Sequence, residues 1–416
     1  MQMDSVDQNV KSGGIQYWHK IVIILCLGWV SIWIYRSVLT PIFPEIQASL
    51  NVTSNAEMGL IASFYFFAYT GMQIPAGMLV DRFGQKVVLI PGFLLFTAAA
   101  LVIGNASSLS MVYLGSLMAG IGCGSYYGSA YSLSSKNIPA ERRGLATAII
   151  NSGSAVGMGI GLIASSFFVK SLKMDWQIML YMIAAILFLM VLVFAIVIKT
   201  PPKEEKPAVS ASANMPDSPV TAGGKANLFT SKMIAAYIIY FATCYGYYMV
   251  VTWLPSFLQQ ERGFEGVAIG FSSALVAFSA IPGALFFSRM SDKFRDRKVG
   301  LIIFLEICAA VMLIVTVIAP NSTILLIGLI LYGLLGKLAV EPILISYVAD
   351  HAPKTGYGTS FGVFNFFGMS SSVIAPFLTG VISDQLGSKQ MGFYISAIIL
   401  VVGTAVFFFS NLKKSK

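Results

Sequence analysis

Four ionisable side chains sit inside long apolar stretches: Arg36, Glu306, Lys337 and Glu341. A charge within hydrocarbon is costly, so each is a candidate for function. A guanidinium such as that of Arg36 can grip a carboxylate or phosphonate through two parallel hydrogen bonds. Arg36 lies about 16 residues into its helix, roughly 24 Å from the cytoplasmic end at 1.5 Å per residue. That is beyond the midplane, where it could also snorkel to the interface or pair with Glu57. Lys337 and Glu341 are four residues apart, which puts them on one helical face. Two readings stay open for this pair. It is an internal ion pair that only neutralises two charges, or a coupling device. In the second reading a substrate anion takes Lys337 and frees Glu341 to accept a proton, because a carboxyl beside a cation that comes and goes has a movable pKa. Glu306 is expected to pack against neighbouring helices.

Aromatic and amide residues recur in the same segments: Tyr35, Tyr65, Tyr69, Gln73, Tyr126, Tyr127, Tyr131, Tyr245, Tyr248 and Asn365. Hydroxyls and amides can meet polar groups of a ligand while rings form walls, and about half of such residues serve packing or interfaces. The candidate binding set is Arg36, Tyr35, Tyr69, Gln73, Tyr127, Tyr131, Tyr248, Lys337 and Asn365, with Glu341 as the proton carrier. The four cysteines (Cys26, Cys123, Cys244, Cys308) fall within apolar segments, and His19 and His351 stand at segment edges. The sequence offers no metal-ligand cluster, phosphate loop or catalytic triad, so neither an enzyme nor a cofactor is expected.

The elements that must position these residues are membrane spans. Of 416 residues, 56% are hydrophobic and 11% charged, against about 25% charged in soluble domains. The net charge of +9 is spread between apolar segments rather than gathered on one face, which argues against a nucleic-acid partner. Spans of about 20 apolar residues are expected near 20–42, 56–80, 86–104, 109–135, 142–170 and 176–199. A second set is expected near 232–257, 266–288, 299–319, 322–349, 357–382 and 390–411. The resulting domains are a tail (1–19), a six-helix bundle (20–199), a Pro/Ser/Ala-rich linker (200–230), a second six-helix bundle (231–411) and a short tail (412–416). With both termini cytoplasmic, about 21 of the 27 Lys and Arg fall on the cytoplasmic side, the bias that sets orientation. The halves also repeat. Pro44/Pro255, Gly59/Gly270 and Asp81/Asp292 share an offset of 211 residues, and Gly144/Gly358 and Asn151/Asn365 one of 214. A duplicated six-span unit suggests two bundles rocking about a central site. Pro44 and Pro255 are expected to end the first and seventh spans. The stripe Gly153, Gly157 and Gly161 is expected to pack closely on another helix.

The loop after the second span reads Gly77-Met-Leu-Val-Asp81-Arg82-Phe-Gly84-Gln-Lys86. It resembles the signature G-x-L-x-D-R-x-G-x-K/R of the major facilitator superfamily, with a degenerate copy around Asp292. The resemblance implies an all-α membrane protein of twelve helices in two pseudo-symmetric six-helix bundles, with spans 1, 4, 7 and 10 lining a central cavity. Gly77 would allow close helix approach and Gly84 a tight turn, while Asp81, with Arg82, Lys86 and Asp292 around it, would form a gating latch. Tyr245-Gly-Tyr247-Tyr248 running to Trp253-Leu-Pro255, Glu141-Arg142-Arg143-Gly144, Asn151 and Asn365 resemble the anion:cation symporter branch. That branch implies import of a small organic anion, a carboxylate or sugar acid, coupled to H⁺ or Na⁺, by a monomer in the inner (plasma) membrane. An antiporter or exporter, for anion exchange or drug efflux, is the alternative. The chain departs from the branch at Tyr35, where an Asp commonly precedes the Arg. It also departs in the stretch Cys123 to Ala130, where the fourth span often carries a Glu.

Overall fold

The computed structural model describes residues 16–139, 142–199, 228–294, 297–353 and 357–412. Most of the expected linker and most of both tails lie outside the described residues. The first half comprises α1 (Tyr17–Val38), a 3₁₀ turn (Thr40–Ile42), α2 (Phe43–Leu50), α3 (Asn55–Phe83), α4 (Gln85–Gly104), α5 (Leu109–Asn137), α6 (Arg143–Ser165) and α7 (Gln177–Val197). A π-helical turn (Ser166–Ser171) extends α6. The second half comprises α8 (Ser231–Arg262), α9 (Val267–Lys293), α10 (Lys298–Ile318), α11 (Ser322–Leu335), α12 (Lys337–His351), α13 (Tyr357–Leu386) and α14 (Gln390–Asn411). Starts are set by local chemistry: Ser54, Thr230 and Asn321 each accept the backbone N–H three residues on, from Glu57, Met233 and Ile324.

Eleven helical spans among the described residues are long and apolar enough to cross a membrane. The twelfth is α3, which has the length, at 29 residues. Tyr65, Tyr69, Thr70 and Gln73 dilute its hydropathy, because this helix faces other protein over much of its surface.

Both prolines depart from the expectation. Pro44 stands in the first turn of α2, where a missing N–H costs nothing, so it starts a helix and the chain continues to Leu50. Pro255 lies inside α8, which runs on to Arg262 and stops at Gly263, with a φ of 68°. The tenth span, expected to be continuous, is broken into α11 and α12 at Gly336, whose N–H bonds the Tyr332 carbonyl at 2.8 Å.

The halves meet along two seams, α3 against α13 and α6 against α9, and where the 3₁₀ turn after α1 reaches α8. The repeated glycines lie on these seams. A methyl group on Gly59 would overlap the Pro376 carbonyl, and one on Gly270 would overlap the Leu162 carbonyl. The internal sequence repeat is therefore also a repeat in space. Gly153, Gly157 and Gly161 press α6 onto the backbone of α1 around Cys26, Val30 and Ile34, as small-residue stripes do between membrane helices.

Polar contacts between the halves gather at the face opposite the termini. The Asp384 carboxylate, on α13, accepts hydrogen bonds from Ser54 Oγ (2.6 Å), Asn55 N (2.7 Å), Asn55 Nδ2 (2.8 Å) and Ala56 N (3.0 Å). It thereby caps the N-terminus of α3 from the other half, where a negative charge meets the positive end of the helix dipole. Nearby, buried Lys170 donates to Glu45 at 2.7 Å and to Gln259 at 2.6 Å, and Val267 N donates to Ser171 Oγ at 2.9 Å.

Replacing Asp384 with Ala removes four acceptor contacts at once. Hydrogen bonds to charged groups contribute about 1.5–3 kcal/mol each, so the closed face should open about tenfold more often or beyond. Hydrogen exchange at the Val267 amide, which Asp384 does not touch, reads this opening. Unchanged protection there would confine Asp384 to a local cap.

Candidate functional site

Arg36 projects from α1 into a cage of rings. Its guanidinium carbon stands 4.5 Å from the ring centre of Tyr69, 5.0 Å from Trp33, 5.3 Å from Tyr65, 5.4 Å from Phe66 and 5.9 Å from Trp29. Such faces attract a cation through their quadrupoles. Nε donates to the Tyr65 hydroxyl at 2.8 Å, and Nη2 reaches the Cys123 sulfur at 3.8 Å. Among the described residues no carboxylate pairs with Arg36, so the Glu57 alternative is not realised. On the far side of Arg36, toward Leu39, Thr40 and Phe43, lies a void of about 30 Å³, space for little more than one water.

Lys337 and Glu341 form the expected pair, Nζ to Oε2 at 2.9 Å. The second carboxylate oxygen accepts a 2.6 Å hydrogen bond from Tyr240 on α8. Tyr240 is absent from the sequence-derived set, since its role depends on the crossing of α8 and α12. The two cations are linked by ring contacts. Phe66 in the Arg36 cage meets Tyr248 edge-on at 4.8 Å, Tyr248 meets Tyr247 at 5.5 Å, and Lys337 stands 5.4 Å from the centre of the Tyr247 ring. Arg36 from one half and Lys337 from the other thus share one aromatic wall.

The remaining candidates divide. Tyr69 belongs to the Arg36 cage, and Gln73 accepts a 3.3 Å hydrogen bond from Asn365 across the α3–α13 seam. Tyr127 and Tyr131 lie 4.5 Å apart, ring to ring, and Tyr131 donates to Asn151 at 3.2 Å. Tyr127 is 45% exposed yet within electrostatic reach of Glu341 in the other half. The halves are therefore not packed against each other at Tyr127. Tyr248 is buried, its hydroxyl directed at the Met369 sulfur. Tyr35 departs from the expectation: its buried ring packs edge-on against Phe96 of α4, 4.8 Å away, so it forms the wall behind Arg36 rather than the cavity surface. Tyr126 and Tyr245 are buried packing residues, and the Tyr126 hydroxyl bonds the Leu25 carbonyl. Glu306 is completely buried in α10, with neither carboxylate oxygen hydrogen-bonded among the described residues.

The loop between α3 and α4 turns at Gly84, whose φ of 87° suits glycine. Lys86 donates to the Ala195 carbonyl at the end of α7, 2.6 Å away. Asp81 and Arg82 are exposed, and no ion pair among the described residues includes Asp81. A β-carbon on Gly128 of α5 would stand 3.6 Å from the Gly77 Cα, so the two helices do come close there, although a β-carbon on Gly77 itself would meet nothing within 4 Å. The side chain of Asp292 lies outside the described residues.

The profile of the Major Facilitator Superfamily matches residues 25–376. The chain belongs to the major facilitator superfamily. It is accordingly a multi-pass membrane transporter and not an enzyme. Relatives of this superfamily member include a probable sulfoacetate transporter of Cupriavidus necator, 24% identical and covering 94% of each chain. A probable galactarate/D-glucarate transporter of Escherichia coli K12 is 24% identical over 93% of each chain. A hexuronate transporter of Bacillus subtilis is 26% identical over 93% of this chain and 92% of its own. Among solved structures, a bacterial homologue of the human lysosomal transporter Spinster matches with a TM-score of 0.77 at 16% identity, over 96% of this chain and 98% of that one. The superfamily fold is thereby shown.

Breaking a buried ion pair by deleting one partner typically costs about 3 kcal/mol, while replacing both with neutral residues is close to neutral. Lys337→Ala should therefore lower the melting temperature in detergent, and the double variant Lys337→Met/Glu341→Gln should recover most of the loss. Equal melting of the single variant and the parent would show that the pair contributes nothing to stability.

Proposed function

We propose that this superfamily member imports a small organic anion, a carboxylate or sugar acid, by alternating access. The observation that carries the reading is the state of Arg36: a cation within the membrane span, surrounded by rings and facing no carboxylate among the described residues. Three of its relatives are named for sulfoacetate, galactarate/D-glucarate and hexuronate, all small organic acids. An oxyanion entering from the side of the termini would meet the free N–H edge of the guanidinium, with Tyr69 and Gln73 beside it and Tyr127 and Tyr131 along its path.

Coupling is assigned to Lys337 and Glu341. Part of the substrate, drawn along the wall of Tyr248 and Tyr247, competes for the Lys337 ammonium. Glu341 then loses its cation and takes a proton, keeping Tyr240 as a hydrogen-bond partner. Release of substrate restores the pair and expels the proton. A proton suits this site better than Na⁺, because both carboxylate oxygens already have donors. The charge bias of the loops supports cytoplasmic termini in a bacterial inner membrane, and the exposed Tyr127 is taken to mark the cytoplasmic side as the one from which the anion site is reached. The protein is taken to act as a monomer.

Uptake into proteoliposomes, with sulfoacetate, glucarate and a hexuronate as probes, tests the reading. Arg36→Ala should weaken binding of the accepted anion by about tenfold or more, the loss of a charge-assisted hydrogen bond. Glu341→Gln should abolish accumulation driven by a pH gradient, while exchange of labelled for unlabelled anion, which moves no net proton, continues. Stabilisation by cationic drugs alone, indifferent to Arg36→Ala, would instead identify an efflux antiporter.

A further inference from the structure

The two cations of the cavity are compensated differently. Lys337 carries its own competitor, since Glu341 is 2.9 Å away on the same helix. Among the described residues Arg36 has no such partner. Of the five N–H donors of a guanidinium, Nε–H goes to Tyr65, and an Nη2–H points at the sulfur of Cys123, which is fully buried on α5. A thiol is a weak acceptor and leaves most of the charge of Arg36 available. A carboxylate reaching the same Nη atoms would make a strong charge-assisted pair and would compete with any incoming anion.

We propose that Cys123 is a specificity-determining position: by presenting a neutral side chain to Arg36, it reserves the guanidinium for the substrate anion and makes anion capture in the amino-terminal half independent of protonation. Proton dependence is thereby confined to Lys337 and Glu341 in the other half. The inference rests on the anion reading given above. The titratable groups around Arg36 and Cys123 among the described residues are Tyr35 from α1, Tyr65 and Tyr69 from α3, Tyr126 from α5 and Tyr247 and Tyr248 from α8. All are phenols, which do not ionise between about pH 5.5 and 7.5.

The experiment is a binding titration on the purified full chain across that pH range. Fluorescence of Trp29 and Trp33, which flank Arg36, reports occupancy. The probe is whichever of sulfoacetate, glucarate and a hexuronate gives the largest response. In Cys123→Glu the new carboxylate pairs with Arg36 when ionised and releases it when protonated. Affinity should therefore fall about tenfold or more at pH 7.5 relative to the parent and recover toward pH 5.5. The slope of log Kd against pH should steepen by up to about one proton. Cys123→Gln, of nearly the same shape without the charge, should keep the slope of the parent whatever its affinity, which separates charge from bulk and misfolding. A Cys123→Glu profile as flat as that of Cys123→Gln would overturn the inference and leave the anion reading standing. Binding in Arg36→Ala as tight as in the parent would overturn the anion reading itself.

Discussion

Hydrocarbon cannot solvate a charge, and the arrangement of this cavity follows from how each buried charge is accommodated. Arg36 is held by ring faces, one phenol and a thiol, which stabilise a cation without neutralising it. Lys337 and Glu341 neutralise each other, with Tyr240 satisfying the remaining oxygen. Glu306 is sealed among helices without a hydrogen-bond partner among the described residues. These are three different solutions to one penalty. Only the first leaves a cation whose charge is not already taken by the protein. The cavity therefore has one open cation and one conditional cation, on opposite halves and joined by the rings of Phe66, Tyr248 and Tyr247.

The way the halves touch explains how such a cavity can change its exposure. The α3–α13 and α6–α9 seams are built on glycines, Gly59 and Gly270, against carbonyl groups. Smooth backbone contacts of this kind lack the interlocking side chains that would fix one angle between the bundles. The opposite face carries directional contacts instead: the Asp384 carboxylate on the first turn of α3, and Lys170 between Glu45 and Gln259. Charged contacts between the halves are thus concentrated on that face, while the seams carry glycine contacts and neutral hydrogen bonds such as Ser63 to the Val373 carbonyl and Asn365 to Gln73.

Relatives named for small organic acids and the uncompensated Arg36 point to the same chemistry by independent routes. The relatives bear on substrate class through inheritance, whereas Arg36 bears on it through electrostatics. The proposed coupling rests on geometry alone, because it turns on two residues four apart on α12, the helix that begins just after Gly336.

The sequence by itself determined the apolar spans, the membership signalled by Gly77 to Lys86, and the pairing of Lys337 with Glu341. All of these follow from local periodicity or short spacing. The i, i+4 rule needs only one helix, and burial in a bilayer reads directly from hydropathy. It misjudged Pro44 and Pro255, because whether a proline ends a helix depends on whether its turn is the first of a new element or is supported by neighbours. Tertiary structure alone decided that Arg36 avoids Glu57 and meets Cys123 and Tyr65. It turned the Tyr35 ring against Phe96 behind Arg36, and it brought Tyr240 to Glu341 and Asp384 to the start of α3. Each of these contacts joins residues far apart in the chain, and its existence depends on the rotation of one helix about its axis relative to another, which no single stretch of sequence encodes.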